Sequence, residues 1–155
     1  MRSNEAIIQV FRREGYRITP QRRVIFEQLS EGDGHPTADQ VYKDVQAVMP
    51  EVSRTTVYNT LHELVALGEL TEVGCPGESG TRYDTNQDHH HHLLCVHCRS
   101  FFDIDQEFDC VELTADQTEG HRILDHQITF FGICPTCQHG RGGREHRTDD
   151  EKGKK

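Results

Sequence analysis

Residues 84–98 read D-T-N-Q-D-H-H-H-H-L-L-C-V-H-C, placing five histidines, two aspartates and two cysteines in fifteen positions. Each of these side chains can donate a lone pair to a metal ion. Cys95 and Cys98 form one C-x-x-C pair, and Cys134 and Cys137 form a second. Thiolate sulfur binds Zn²⁺ tetrahedrally, and a two-residue spacer lets both sulfurs of a knuckle reach one ion. The pairs are far apart in sequence, so a shared ion would staple distant segments together. The histidine run calls for different chemistry. If His89–His92 leads into a strand at Leu93 and Leu94, successive side chains alternate between faces. His90 and His92 then share one face, and His89 and His91 the other, so one strand could feed two imidazole sites. An internal run of four beside a zinc knuckle does not read as a purification tag.

These donors need elements to position them. The chain has 155 residues, 34% of them hydrophobic, and no Trp, which allows one domain or two small ones. Halves this small need a metal, a partner subunit or both to complete a core. The opening M-R-S-N-E-A-I-I lacks an apolar run long enough for a signal peptide, and nothing approaches a membrane span. Six cysteines, four in C-x-x-C pairs, then point to reduced thiols in the cytoplasm. The formal charge of −9 excludes a broadly basic nucleic-acid coat, but not a local patch. Arg2, Arg12, Arg13, Arg17, Arg22 and Arg23 all fall near the start.

Four helices are predicted first. Ser3 or Asn4 caps one carrying Ala6, Ile7, Val10 and Phe11, ended by Gly15. Thr19-Pro20 opens the next, with Val24, Ile25 and Leu29 inward. Thr37 caps a third, with Val41, Tyr42, Val45 and Val48 inward and Pro50 as its end. Ser53 caps a fourth, carrying Val57, Leu61, Leu64 and Val65 and stopped at Gly68. Two short strands, 70–73 and 81–83, flank C-P-G-E-S-G. Helices followed by a hairpin is the order of a winged helix, whose last helix before the wing enters the DNA major groove. On that helix Arg54, Thr55, Thr56, Tyr58 and Asn59 face outward, suited to phosphates and base edges. Arg17 could reach phosphate or an adjacent minor groove.

Beyond Asp84 the pattern predicts a strand at Phe101, Phe102 and Ile104, a short helix within 110–118, and a β-rich alternation over 123–133. From His139 onward no apolar residue remains, and residues 139–155 read as a disordered tail. The predicted fold class is α+β. A winged helix-turn-helix DNA-binding domain spans 1–84, with a hinge at about 80–88. A small α/β domain with a four-cysteine zinc site follows at 85–138.

The chain resembles the ferric uptake regulator (Fur) family of metal-dependent repressors. The resemblance rests on R-I-T-P-Q-R at 17–22, H-P-T-A-D-Q-V-Y at 35–42, S-R-T-T-V-Y-N-T-L at 53–61, R-Y-D at 82–84, H-H-H-H-L-L-C-V-H-C at 89–98 and C-P-T-C at 134–137. It implies a homodimer whose second domain dimerises, binding a palindromic A/T-rich operator in double-stranded DNA. It implies structural zinc on Cys95, Cys98, Cys134 and Cys137. A regulatory Fe²⁺ or Mn²⁺ would lie on His35, Asp84, His90, His92 and Asp103, so that metal fixes the angle between the domains and acts as an effector of DNA binding. Such a nitrogen and oxygen donor set suits those ions rather than a sulfur-seeking one.

Iron-sensing members of the family usually carry glutamates where Asp84 and Asp103 stand here. Aspartates at both positions resemble the peroxide-sensing branch, in which Fe²⁺-catalysed oxidation strikes the residues matched by His35 and His90. The alternative within the family is an iron-responsive repressor of iron uptake. A second metal site could use His89, His91 and His126, but the family's glutamate has no clear match: its place falls near Cys110, between Asp109 and Glu112. Cys75 and Cys110 have no assigned role. A zinc and histidine hydrolase is a reading from another class. It would need an open coordination position and a neighbouring acid or base. No H-E-x-x-H is present, and the helical half would go unexplained, so the chain reads as a regulator and not an enzyme.

Overall fold

The computed structural model describes residues 3–32, 34–74, 81–106, 108, 113–124 and 126–140. The chain divides into two compact units, Met1–His89 and His90–Lys155. The first holds four helices: α1 (Asn4–Arg13), α2 (Pro20–Glu31), α3 (Ala38–Val48) and α4 (Arg54–Ala66). Each begins where a side-chain oxygen satisfies an orphan amide. Ser3 accepts from Ala6 N, Thr19 from Arg22 N and Ser53 from Thr56 N. Thr37 forms a full capping box with Gln40. Gly68 takes φ +70° just past α4, a left-handed turn that side chains resist. The helices close over one core that includes Ile7, Phe11, Ile25, Phe26, Val45, Leu61 and Leu64. Phe11 stacks at 4.9 Å on Phe26 and 5.2 Å on Tyr16.

Two antiparallel strands follow, β1 (Thr71–Val73) and β2 (Arg82–Asp84), in register Thr71↔Asp84. The far edge of β2 meets the entry to α3: Thr37 bridges Arg82, and Tyr83 N donates to Pro36 O at 2.9 Å. This is the helix-then-wing order of a winged helix. The loop expected at 75–80, with Cys75, lies outside the described residues.

The second unit is built on a three-stranded sheet in the order β4-β3-β5. Strand β3 (His91–Cys95) pairs antiparallel with β4 (Phe101–Ile104) and parallel with β5 (Thr129–Gly132). The register places Asp103 opposite His92 and Gly132 opposite Cys95. Short helices α5 (Ala115–Thr118) and α6 (Pro135–His139) complete it, giving an α+β chain. No helix among the described residues is long and apolar enough to cross a membrane.

Several expectations change. Val48 is 62% exposed, because α3 ends there and Met49 packs against the core in its place. Ile8 and Phe26 are buried, while Val10 and Val24 are only partly so. The β-rich stretch 123–133 forms a ladder only from Thr129. Pairing with β3 begins at His92↔Thr129, and Ile123 and Leu124 are exposed. The helix placed within 110–118 is seen only at Ala115–Thr118, since 109–112 lie outside the described residues. His139 ends α6 instead of opening a tail, and 141–155 lie outside the described residues.

Candidate metal centres

Strand β3 ends on Cys95, the following turn carries Cys98, and Cys134 and Cys137 stand at the start of α6. Main-chain bonds hold these pieces together. Val96 N donates to Gly132 O at 2.8 Å, and Cys134 N donates to Cys95 Sγ at 3.3 Å. All four sulfurs lie within 4.8 Å of one another, with Cys98 Sγ and Cys134 Sγ 3.7 Å apart. Four sulfurs about 2.3 Å from a tetrahedral zinc ion would be spaced by about 3.8 Å. The cluster fits that ion.

The thiols are strongly differentiated. Burial pushes Cys95 up, but backbone amides of Cys134, Cys98 and His97 outweigh it and bring the thiol down to about 6. The Ser100 hydroxyl, 3.3 Å away, lowers Cys98. Contact with Cys134, then burial and the other two sulfurs, pushes Cys137 up to about 12. Four thiolates this close repel one another, and a divalent cation removes the repulsion by binding all four.

In the first unit, the pairing of β2 with the α3 entry brings His35 to Asp84. Their Nε2 and Oδ2 atoms are 3.6 Å apart, and both side chains are buried. The other carboxylate oxygen of Asp84 accepts from Asn86 N at 2.7 Å, which fixes the plane of the carboxylate. Arg82 Nη1 donates to His35 O at 3.0 Å. Arg82 is thus a positioning residue that sequence reasoning missed. Its only signal was its place beside Asp84 in R-Y-D.

In the second unit, His90 and His92 bring their Nε2 atoms to 3.0 Å. Two nitrogens each about 2.1 Å from one ion can stand at most about 4.2 Å apart, so both rings could reach a single ion. Asp103 Oδ1 lies 3.8 Å from His90 Nε2, delivered by its register opposite His92. His90 and His92 thus share a face, as alternation along the strand expects, although His90 precedes the strand itself; the nearness of Asp103 is a matter of register, which alternation did not address.

His91 turns to the opposite face. It is buried there, 5.1 Å from the Phe108 ring and 5.7 Å from that of His126. The amide of Ile128 points to its Nδ1 at 3.3 Å. His89 is exposed at the end of the first unit. Of these three histidines, His91 and His126 lie near each other in the second unit, and His89 belongs to the first. Asp109, Cys110 and Glu112 lie outside the described residues.

The outward face of α4 carries Arg54, Tyr58 and Asn59, all exposed, with Thr56 partly buried beside the Ser53 cap. Arg54 pairs with Asp39 on α3 and lies 4.7 Å over the Tyr42 ring. Arg17 is exposed, and its carbonyl accepts from Arg22 Nη1 at 2.6 Å. Arg22 itself leaves the basic patch that the sequence suggested. It pairs with Glu63, and its guanidinium lies 5.5 Å over Phe11 and 5.7 Å over Tyr16.

A winged helix joined to a thiolate-stapled sheet, with further imidazole and carboxylate groups in each unit, defines a class: the metal-responsive DNA-binding regulators. Comparison with known proteins narrows it. Residues 13–131 match the Ferric uptake regulator family. The peroxide-responsive repressor PerR of Staphylococcus epidermidis is 33% identical over 135 residues, covering 86% of this chain and 89% of that protein. The PerR structure from Streptococcus pyogenes, described as a basis for peroxide sensing and gene regulation, is 29% identical with TM-score 0.52, covering 89% and 95%. The Helicobacter pylori ferric uptake regulator Fur, with three functional metal binding sites, shares the fold at TM-score 0.69 and 20% identity, covering 91% and 97%. This chain belongs to the Ferric uptake regulator family, whose members are metal-responsive, DNA-binding transcription regulators rather than enzymes.

Proposed function

We propose that this chain is a cytoplasmic, metal-dependent repressor that binds a palindromic A/T-rich operator as a homodimer and releases it on exposure to peroxide. Residues 1–84 bind DNA through Arg17, Arg54, Thr56, Tyr58 and Asn59. Residues 85–138 dimerise and hold metal. Cys95, Cys98, Cys134 and Cys137 carry structural Zn²⁺, and His35, Asp84, His90, His92 and Asp103 carry regulatory Fe²⁺ or Mn²⁺. The observation that carries the reading is an all nitrogen and oxygen donor set with aspartate at both carboxylate positions, in a chain related to proteins named peroxide-responsive repressors.

Fe²⁺, when bound, supplies the electron that splits the peroxide O–O bond, which Mn²⁺ does poorly. His35 and His90 are the rings that would take up oxygen: net, a ring C–H becomes C–OH with one oxygen of hydrogen peroxide, and the other oxygen leaves as water. An oxidised ring is a poorer donor, so the ligand set fails and the DNA-competent shape loses its effector. The intact residues do the positioning: Arg82 holds the His35 main chain, and the Asn86 amide holds the Asp84 carboxylate.

The test uses a DNA duplex selected from a random library by the Mn²⁺-loaded protein. Binding is measured with Fe²⁺ or Mn²⁺, before and after a low dose of peroxide, alongside peptide mass spectrometry. Release in the Fe²⁺ form only, with one oxygen added at His35 or His90, is the expected result. An Fe²⁺ form that stays bound with unmodified histidines would instead identify an iron-responsive repressor of iron uptake.

A further inference from the structure

On the outward face of α4, two of the proposed DNA contacts converge on a single carboxylate from another helix. Asp39 stands in the first turn of α3, where a negative charge is favoured by the helix dipole. Its Oδ1 accepts from Arg54 Nη1 and lies 3.5 Å from the Tyr58 hydroxyl, which donates to it. Arg54 opens α4 and Tyr58 follows one turn later, so both stand toward the end of a recognition helix that approaches bases. Tyr42, also from α3, supports the guanidinium from its ring face at 4.7 Å. The Tyr42 hydroxyl is in turn bonded by Gln46 Nε2 at 2.7 Å, which steadies the support.

A lone exposed ion pair adds little to stability, and the Arg54 and Asp39 side chains are 59% and 55% exposed. Folding therefore does not account for two α3 side chains, Asp39 and Tyr42, gathering on Arg54. Recognition does. Guanidinium carries five N–H donors in a rigid fork, and the Asp39 contact engages Nη1. An arginine already oriented by a carboxylate and a ring loses less rotamer freedom when it meets a base edge. The same carboxylate is a negative charge beside the DNA, and it disfavours contact with phosphate where no fitted base edge offsets it.

We propose that Asp39 is a specificity-determining positioning residue, orienting Arg54 and Tyr58 for operator reading while weakening attachment to non-cognate DNA. This rests on the DNA-binding reading of α4. The test compares the full-length Mn²⁺-loaded protein with its Asp39→Asn, Arg54→Ala and doubly substituted forms. Affinities are measured across salt concentrations for the library-selected duplex and for a scrambled duplex of the same composition.

Asp39→Asn is expected to weaken binding of the selected duplex by about two- to tenfold, the cost of re-ordering long side chains. Binding to the scrambled duplex should hold or tighten. In the Arg54→Ala background, Asp39→Asn should change the ratio of the two affinities by less than it does in the unsubstituted protein, since only the Tyr58 contact and the charge of Asp39 remain to be lost. A parallel loss on both duplexes would mean that Asp39 merely supports the fold, and overturns the proposal. So does a change in the ratio that is just as large without Arg54. Failure of the unsubstituted protein to bind either duplex would overturn the DNA-binding reading itself, a result distinct from normal binding that ignores Asp39.

Discussion

Removing zinc, or one of its ligands by Cys134→Ser, is expected to unfold the second unit and leave the first intact. The clustered apolar core belongs wholly to the first unit, from Ile7 to Tyr83. Among the described residues of the second unit, the buried apolar side chains besides two cysteines are Leu94 and Phe101. Burying such side chains contributes about 1.5–3 kcal/mol each, so about 3–6 kcal/mol together. A structural zinc site contributes about 10–16 kcal/mol of apparent binding free energy at neutral pH, most of it realised as folding. The metal term is therefore the larger by a factor of about two or more. The assay is hydrogen exchange read by mass spectrometry on zinc-loaded, chelated and Cys134→Ser protein. Amides of β3, β4 and β5 should lose protection on chelation and in Cys134→Ser, while those of α1, α2 and α4 keep it. Acid should act like the chelator, since protons compete with metal for thiolates. Protection surviving over residues 91–104 in protein shown to be zinc-free would refute the reasoning.

Other outcomes follow from single contacts. Arg22→Ala should lower the stability of the first unit by about 1–3 kcal/mol, measured by thermal melting, because it strands Glu63 and uncovers Phe11 and Tyr16. Arg22→Lys should restore only part of that, since lysine keeps the charge without the planar stack. Thr37→Ala should cost about 1 kcal/mol and speed exchange of the Gln40 amide, whose acceptor it removes.

The local chemistry of this chain was legible before any coordinates. Thr19-Pro20, Thr37 with Gln40, and Ser53 mark helix starts because a cap acts within one turn. The two C-x-x-C pairs announce their own geometry, and alternation was enough to pair His90 with His92. What stayed hidden depends on which distant segments meet. No local signal says that β2 lies between β1 and residues 35–37, so the role of Arg82 was invisible. Arg22 looked like a surface base because its partner Glu63 is 41 positions away. The short reach of β5 was also hidden, because its ladder begins only where β3 offers a partner. Val48 kept the helical period but fell on the last turn, where the core gives way to solvent.

Cys134 follows Cys95 by 39 residues, and the strand that delivers it pairs parallel to β3. Parallel partners cannot be joined by a tight turn, so closure must wait for a long crossover. During synthesis at about 5–20 residues per second, the first cysteine pair is made about 2–7 seconds before the second begins to appear. Through that interval the nascent chain carries half of a thiolate cage next to an unclosed sheet. The four-sulfur cage therefore cannot close until the last strand and Cys134 have been made.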